Sequence, residues 1–148
     1  MSALDKFSGW GLTFSKPSDE QVVLPPDITV VSSEELGGLF TRLTAWTDYI
    51  TSQLVMAQLD ERSAQKTLDY NENIMLVRRM GAQVKGERVT TVKAQIAVDD
   101  KIVDLGNVYE EKYAYRKLVE MLKENHERDL QLVSREITRR SSNYRRDL

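Results

Sequence analysis

Apolar residues recur every three or four positions over the first half of the chain: Leu36, Leu39, Phe40, Leu43, Trp46, Ile50, Leu54, Ala57, Ala64 and Leu68. That spacing places them on one face of an α-helix. The helix start is well marked. Ser32 is positioned to cap the first free amides, Glu35 to reach back to the Ser32 amide, and Val31 and Leu36 to close a hydrophobic staple. No proline follows Pro26, so the pattern predicts a helix from Ser33 to about Met80, with Gly81 as the first stop. A helix of that extent is on the order of 70 Å long and cannot bury its own stripe. Asp60-Glu61-Arg62-Ser63 and Asp69-Tyr70-Asn71-Glu72-Asn73 interrupt the stripe beside the small Ala57 and Ala64. This zone reads equally as a kink, a polar layer that fixes register, or a solvent-facing stretch.

A second helical pattern runs through Val89, Val92, Ile96, Ile102, Leu105, Tyr109, Leu118, Leu122, Leu130, Val133 and Ile137. Asp99-Asp100 and Gly106 are candidate breaks, which would divide it into a short helix and a long one. Gly81 and Gly86 bracket the predicted turn. The expectation is an all-α protein: a long antiparallel helical hairpin over residues 32–140, with a third short helix near the turn if the Asp99-Asp100 break is real. Residues 1–31 read as an extended acidic arm and not as a helix, because Gly9, Gly11, Pro17, Pro25 and Pro26 punctuate them. Residues 141–148 read as a basic tail. The stripes also include Tyr49, Tyr113, Tyr115, Met121 and Leu132, more than one helix–helix seam covers, so a homo-oligomer is expected.

The chain has no cysteine, which excludes disulfides and thiolate metal sites. Met1-Ser2-Ala3-Leu4-Asp5 lacks the basic and apolar pattern of a secretion signal, and the longest uncharged helical stretch, Tyr49 to Leu59, falls short of the ~20 residues a membrane span needs. A cytoplasmic location without a membrane partner is the expectation. Catalytic constellations are sparse. His126 is the only histidine and sits within the apolar rhythm, the position of a packed residue. Asp99-Asp100 and Glu110-Glu111 are adjacent pairs whose side chains diverge on a helix. Gly81 and Gly86 are followed by Glu87-Arg88, not by the Lys-Ser/Thr of a phosphate loop. The reading is therefore non-enzymatic, with no metal and no cofactor.

Charge is distributed unevenly behind a formal net of −2. Residues 1–35 carry Lys6 and Lys16 against Asp5, Asp19, Glu20, Asp27, Glu34 and Glu35, a net of −4. Residues 78–93 carry Arg78, Arg79, Lys85, Arg88 and Lys93 against Glu87, a net of +4. The last fifteen carry Arg135, Arg139, Arg140, Arg145 and Arg146 against Glu136 and Asp147, a net of +3. Arginines with an interleaved aromatic suit single-stranded nucleic acid, since they neutralise phosphates while a base stacks. The candidate nucleic-acid contacts are Arg78, Arg79, Lys85, Arg88 and Lys93 at the turn, and Arg139, Arg140, Tyr144, Arg145 and Arg146 at the tail. The competing role for Arg135, Arg139 and Arg140 is to complement the helix C-terminus. Phe7, Trp10 and Phe14 are apolar anchors in the arm, placed either to dock another protein or to pack back onto the chain's own helices.

Glu34-Glu35-Leu36-Gly37-x-Leu39-Phe40-x-x-Leu43-Thr44-Ala45-Trp46, Tyr113-Ala114-Tyr115-Arg116-Lys117-Leu118 and Val133-Ser134-Arg135-Glu136-Ile137-Thr138-Arg139-Arg140 together resemble a group of small helical proteins of actinobacterial phages, over about residues 24–140. In size, helical layout, lack of cysteine and basic patches the chain also resembles the UvsY recombination mediators of T-even-type phages. That likeness matches no motif residue by residue, and the acidic aromatic arm departs from it. What it implies is an oligomeric protein of phage DNA metabolism that binds single-stranded DNA and hands it to a recombinase. The alternative expectation is a virion assembly protein, or an adaptor that binds another phage or host protein through Phe7, Trp10 and Phe14.

Overall fold

The computed structural model describes residues 1–18, 20–82 and 88–147. Four α-helices make up the described chain: α1 (Ala3–Gly9), α2 (Ser33–Gly81), α3 (Val89–Ala97) and α4 (Asp100–Arg146), with a 3₁₀ turn at Ile28–Val30. No strand occurs among the described residues. The two long helices pack together over most of their length. Their partners run in opposite sequence order, Ser33 with Arg140, Glu61 with Arg116 and Arg79 with Asp99.

The packing has a seven-residue beat. Leu36, Leu43, Ile50 and Ala57 are buried at that interval on α2, and Val119, His126 and Val133 repeat it on α4. Such a period keeps two helices in contact along a supercoil, where a straight 3.6-residue helix would drift away from its partner. The Asp60–Asn73 zone does not break the helix. Helix α2 is continuous through it, and Glu61 receives the Arg116 guanidinium from Nε and Nη2 at 2.6 and 3.2 Å. Arg116 also reaches Glu120 at 2.9 Å, and its guanidinium lies 5.1 Å from the Tyr113 ring centre. Both charges are largely covered, so Glu61 and Arg116 form a polar layer that penalises a shift between the helices, whereas Asp69, Tyr70 and Asn73 face solvent.

Helix ends follow local chemistry. Ser32 Oγ accepts the Glu35 amide at 3.2 Å, although the expected return bond from the Ser32 amide to Glu35 does not form. Asp99 caps α4 through the Lys101 amide at 3.0 Å, so that break is real and produces the short α3. Gly106 is not a break: α4 passes through it, because packing over a long helix outweighs the ~1 kcal/mol propensity cost of one glycine. Helix α4 also continues to Arg146, so residues 141–146 are helix and not the expected tail. The Gly81–Gly86 turn falls largely on residues 83–87, outside the described residues.

The arm differs from the expected extended segment as well. Residues 3–9 form α1 where no helix was expected, because Ser2 and Asp5 build a full capping box: Ser2 Oγ accepts the Asp5 amide at 3.1 Å and the Asp5 carboxylate accepts the Ser2 amide at 2.8 Å. Asp60 on α2 then accepts the Ala3 amide at 2.7 Å. From there the chain returns along the two long helices. Val22 is buried with Leu36, Leu39, Leu43, Trp46, Val119 and Val133, in the larger of two core clusters. The smaller cluster, at the opposite end, joins Val92, Ile96 and Ile102 to Leu68, Met75, Leu76 and Met80. Each end of the long pair is thus covered by a third segment, the arm at one and α3 at the other. No described helix is long and apolar enough to cross a membrane.

Candidate nucleic-acid interface

At the α2–α3 end, Arg78, Arg88 and Lys93 are exposed. Arg88 serves α3 only through its backbone, whose carbonyl accepts the Thr91 and Val92 amides at 3.0 and 3.2 Å. Lys93 edges a cleft of about 300 Å³ with Glu72, Leu76 and Ile96. Arg79 has a different task. It donates to Gln95 Oε1 at 3.2 Å and lies 3.9 Å from Asp99, tying α2 to α3 and to the start of α4. Lys85 lies outside the described residues.

At the other end the five arginines divide. Glu136, only 6% exposed, faces inward, and the expected free arginines Arg139 and Arg140 turn to meet it. Arg139 grips both carboxylate oxygens at 2.8 and 2.7 Å. Arg140 donates to Glu136 at 2.8 Å, to Ser33 Oγ at 3.1 Å, and to the carbonyls of Ile28 and Thr29 at 3.3 and 3.2 Å. Arg140 thereby anchors the Ile28–Thr29 turn and the start of α2 to α4, whereas Arg139 bonds only within α4 and its side chain is half exposed. The bonds from Arg139, then those from Arg140, hold the Glu136 carboxyl down at about 2. Arg135, Tyr144, Arg145 and Arg146 are exposed, and among the described residues none of the three arginines makes an ion pair.

The two sets do not meet. Forty-six residues of α2 separate Ser33, beside Arg140, from Arg79, which sets the two ends about 70 Å apart at ~1.5 Å per residue. His126 plays no part in either. It is buried, its Nδ1 donating to the Leu122 carbonyl at 2.9 Å and its Nε2 3.2 Å from the Gln21 amide, which donates to it. It pins the arm to α4.

The aromatics of the arm form a surface of their own. Phe7 and Phe14 stack with centres 4.4 Å apart and planes 7° from parallel. Gly11, at φ +75°, supplies the left-handed step between them that a side chain would resist. Trp10 ends α1 and is 74% exposed. Beside it a cleft of about 280 Å³ opens between α1 and α2, lined by Lys6, Phe7, Trp10, Met56, Leu59, Asp60 and Ser63. The sequence named the rings, but Lys6, Asp60 and Ser63 join them only through the docking of α1, a helix the glycine and proline pattern concealed. Among the described residues no cluster of three His, Cys, Asp or Glu side chains has the arrangement to hold a metal ion. Comparison with protein-family models, curated proteins and solved structures found no match to the chain.

Proposed function

We propose that the chain is a non-enzymatic single-stranded-DNA-binding protein of phage DNA metabolism, a recombination mediator that works as a homo-oligomer of antiparallel helical hairpins, each with an N-terminal arm. The observation that supports this reading is the set of exposed cations without a described ion-pair partner, Arg145 and Arg146 beside the 70%-exposed Tyr144, in a chain whose formal net charge is −2. Cations held clear of carboxylates are free to displace counterions from phosphates, and an exposed phenol ring offers a base a flat partner. Arg78, Arg88 and Lys93 extend the same chemistry to the far end. One copy cannot gather both sets, but neighbouring copies in an oligomer bring the end of one near the end of another, so the oligomer and the DNA site belong together. Exposed Tyr115, Leu118, Met121 and Leu132 on α4 supply apolar surface for that assembly.

Fluorescence anisotropy with a labelled single-stranded oligonucleotide at several salt concentrations tests it. The expected result is binding that weakens as salt rises. Replacing Arg145 and Arg146 by Ala lowers the slope of log affinity against log salt by about 1.4, at about 0.7 per phosphate contact. Absence of binding at low salt overturns the proposal. The second reading, a virion assembly protein or an adaptor, is favoured by one observation, the exposed Trp10 beside the Phe7–Phe14 stack.

A further inference from the structure

The cleft between α1 and α2 has the composition of a site for a single aromatic heterocycle. Phe7, Trp10, Met56 and Leu59 supply apolar walls, while Lys6, Asp60 and Ser63 supply one cation, one carboxylate and one hydroxyl. Small-ligand sites share this recipe of apolar lining with a few polar groups that fix orientation, and about 280 Å³ lies just below their usual ~300–1,000 Å³ range. Asp60 is already positioned: its Oδ1 holds the Ala3 amide at 2.7 Å, and its Oδ2 takes no hydrogen bond from a described residue. Lys6 lies one helical turn before Trp10, and positions four apart share a face of α1. The acidity of the arm does not fall on this surface, because residues 1–18 carry Lys6 and Lys16 against Asp5 alone.

We infer that this cleft takes one unstacked nucleobase of single-stranded DNA, with Trp10 as the stacking wall, Lys6 toward the adjoining phosphate, and Asp60 and Ser63 toward the base edge. The inference rests on the DNA-binding reading and gives it a site that the cations alone do not define. It also assigns a role to an exposed indole on a short helix that buries none of its residues. A partner protein's apolar side chain is the rival occupant. Three polar groups around so small a cleft, one of them a cation, match a base and its phosphate better than a hydrocarbon side chain. Asp60, as an acceptor, favours bases that present an exocyclic amine.

The test titrates the full-length protein with oligodeoxycytidine and follows tryptophan emission and anisotropy together. Trp46 is buried, so stacking in the cleft changes the Trp10 share of the signal. The expected result is quenching on binding that disappears in Trp10→Leu, with affinity lowered on the order of tenfold or more and the salt slope unchanged. Lys6→Gln lowers that slope by about 0.7 and keeps the quenching. An unchanged urea midpoint establishes that Trp10→Leu stays folded, and Ser63→Ala, outside α1, provides a second variant that should weaken binding. If the protein binds DNA with no quenching, and Trp10→Leu and Ser63→Ala bind as tightly as the parent, the cleft assignment is overturned and the cation reading stands. If the parent protein does not bind DNA at all, both fall and the surface passes to protein docking.

Discussion

The two ends of the long helix pair use arginine in opposite ways. At the arm end a buried carboxylate, Glu136, draws in Arg139 and Arg140, and Arg140 spends its remaining donors on backbone carbonyls and Ser33. At the α3 end, among the described residues, only Arg79 is drawn in, toward Gln95 and Asp99, while Arg78, Arg88 and Lys93 remain exposed. The difference lies in the acid, not in the arginines. A carboxylate that faces the core three or four residues before an arginine on the same helix captures it, because an unpaired buried charge is far more costly than an ordered guanidinium. A row of arginines therefore counts as nucleic-acid surface only after the inward-facing acids have been subtracted.

The largest effects are expected from the cores. Leu43, fully buried in the arm-end cluster, is expected to cost about 2–5 kcal/mol when replaced by Ala, read from urea denaturation. If Val92→Ala in the smaller α3-end cluster destabilised the protein more than Leu43→Ala does, the arm end would not be the stronger one. Next in size comes Arg140→Ala. It releases the Ile28 and Thr29 carbonyls and leaves Glu136 with one partner, so a marked fall in melting temperature is expected, whereas the equivalent change at exposed Arg88 should leave melting nearly unaltered.

Acid should affect the arm end in a defined window. The Glu136 carboxyl is held at about 2 against an ordinary 4.5, so between those values the unfolded chain binds the proton that the folded chain refuses. The stabilising contribution is complete above about pH 4.5 and is lost as pH falls toward 2. Thermal melts across that range should show a steeper loss in the parent than in Glu136→Gln; identical profiles would mean that the carboxylate is not held. The smallest effect is expected at Arg139. Arg139→Ala should leave the salt slope of DNA binding unchanged, and Glu136→Gln, by loosening Arg139, should raise that slope slightly. A slope that fell by about 0.7 in Arg139→Ala would add that residue to the proposed DNA-binding surface.

The apolar rhythm of α2, the Asp99 cap and the stop at Gly81 were legible because each depends on neighbours in sequence. The pairing of Glu61 with Arg116 was not, since it joins residues fifty-five apart, and the polar zone around Glu61 fits three readings until its partner is placed. Helix α1 was hidden by composition. Gly9 and Gly11 signal a break, and they do end the helix, but Ser2 and Asp5 had already built it. The pairing of Arg139 and Arg140 with Glu136 was hidden for a related reason: on charge alone Glu136 is one acid among five arginines, and only its burial at the buried spacing of Val133 makes it their partner.

Because the larger core lies at the end remote from the α2–α3 connection, assembly of this protein during synthesis is a matter of waiting. Leu36 to Leu54 leave the ribosome long before Val119 to Ile137, which complete their cluster. The eighty-three residues from Leu54 to Ile137 take roughly 4–17 s to add, at ~5–20 residues per second. Throughout that interval α2 has only the arm to cover its stripe, with Val22 and Leu24 as the available cover. The nascent chain is then a candidate for capture by chaperones or by a sibling chain on the same message. Contacts between residues this distant in sequence also form late, so slow closure of the arm end is the expected rate-limiting step in refolding.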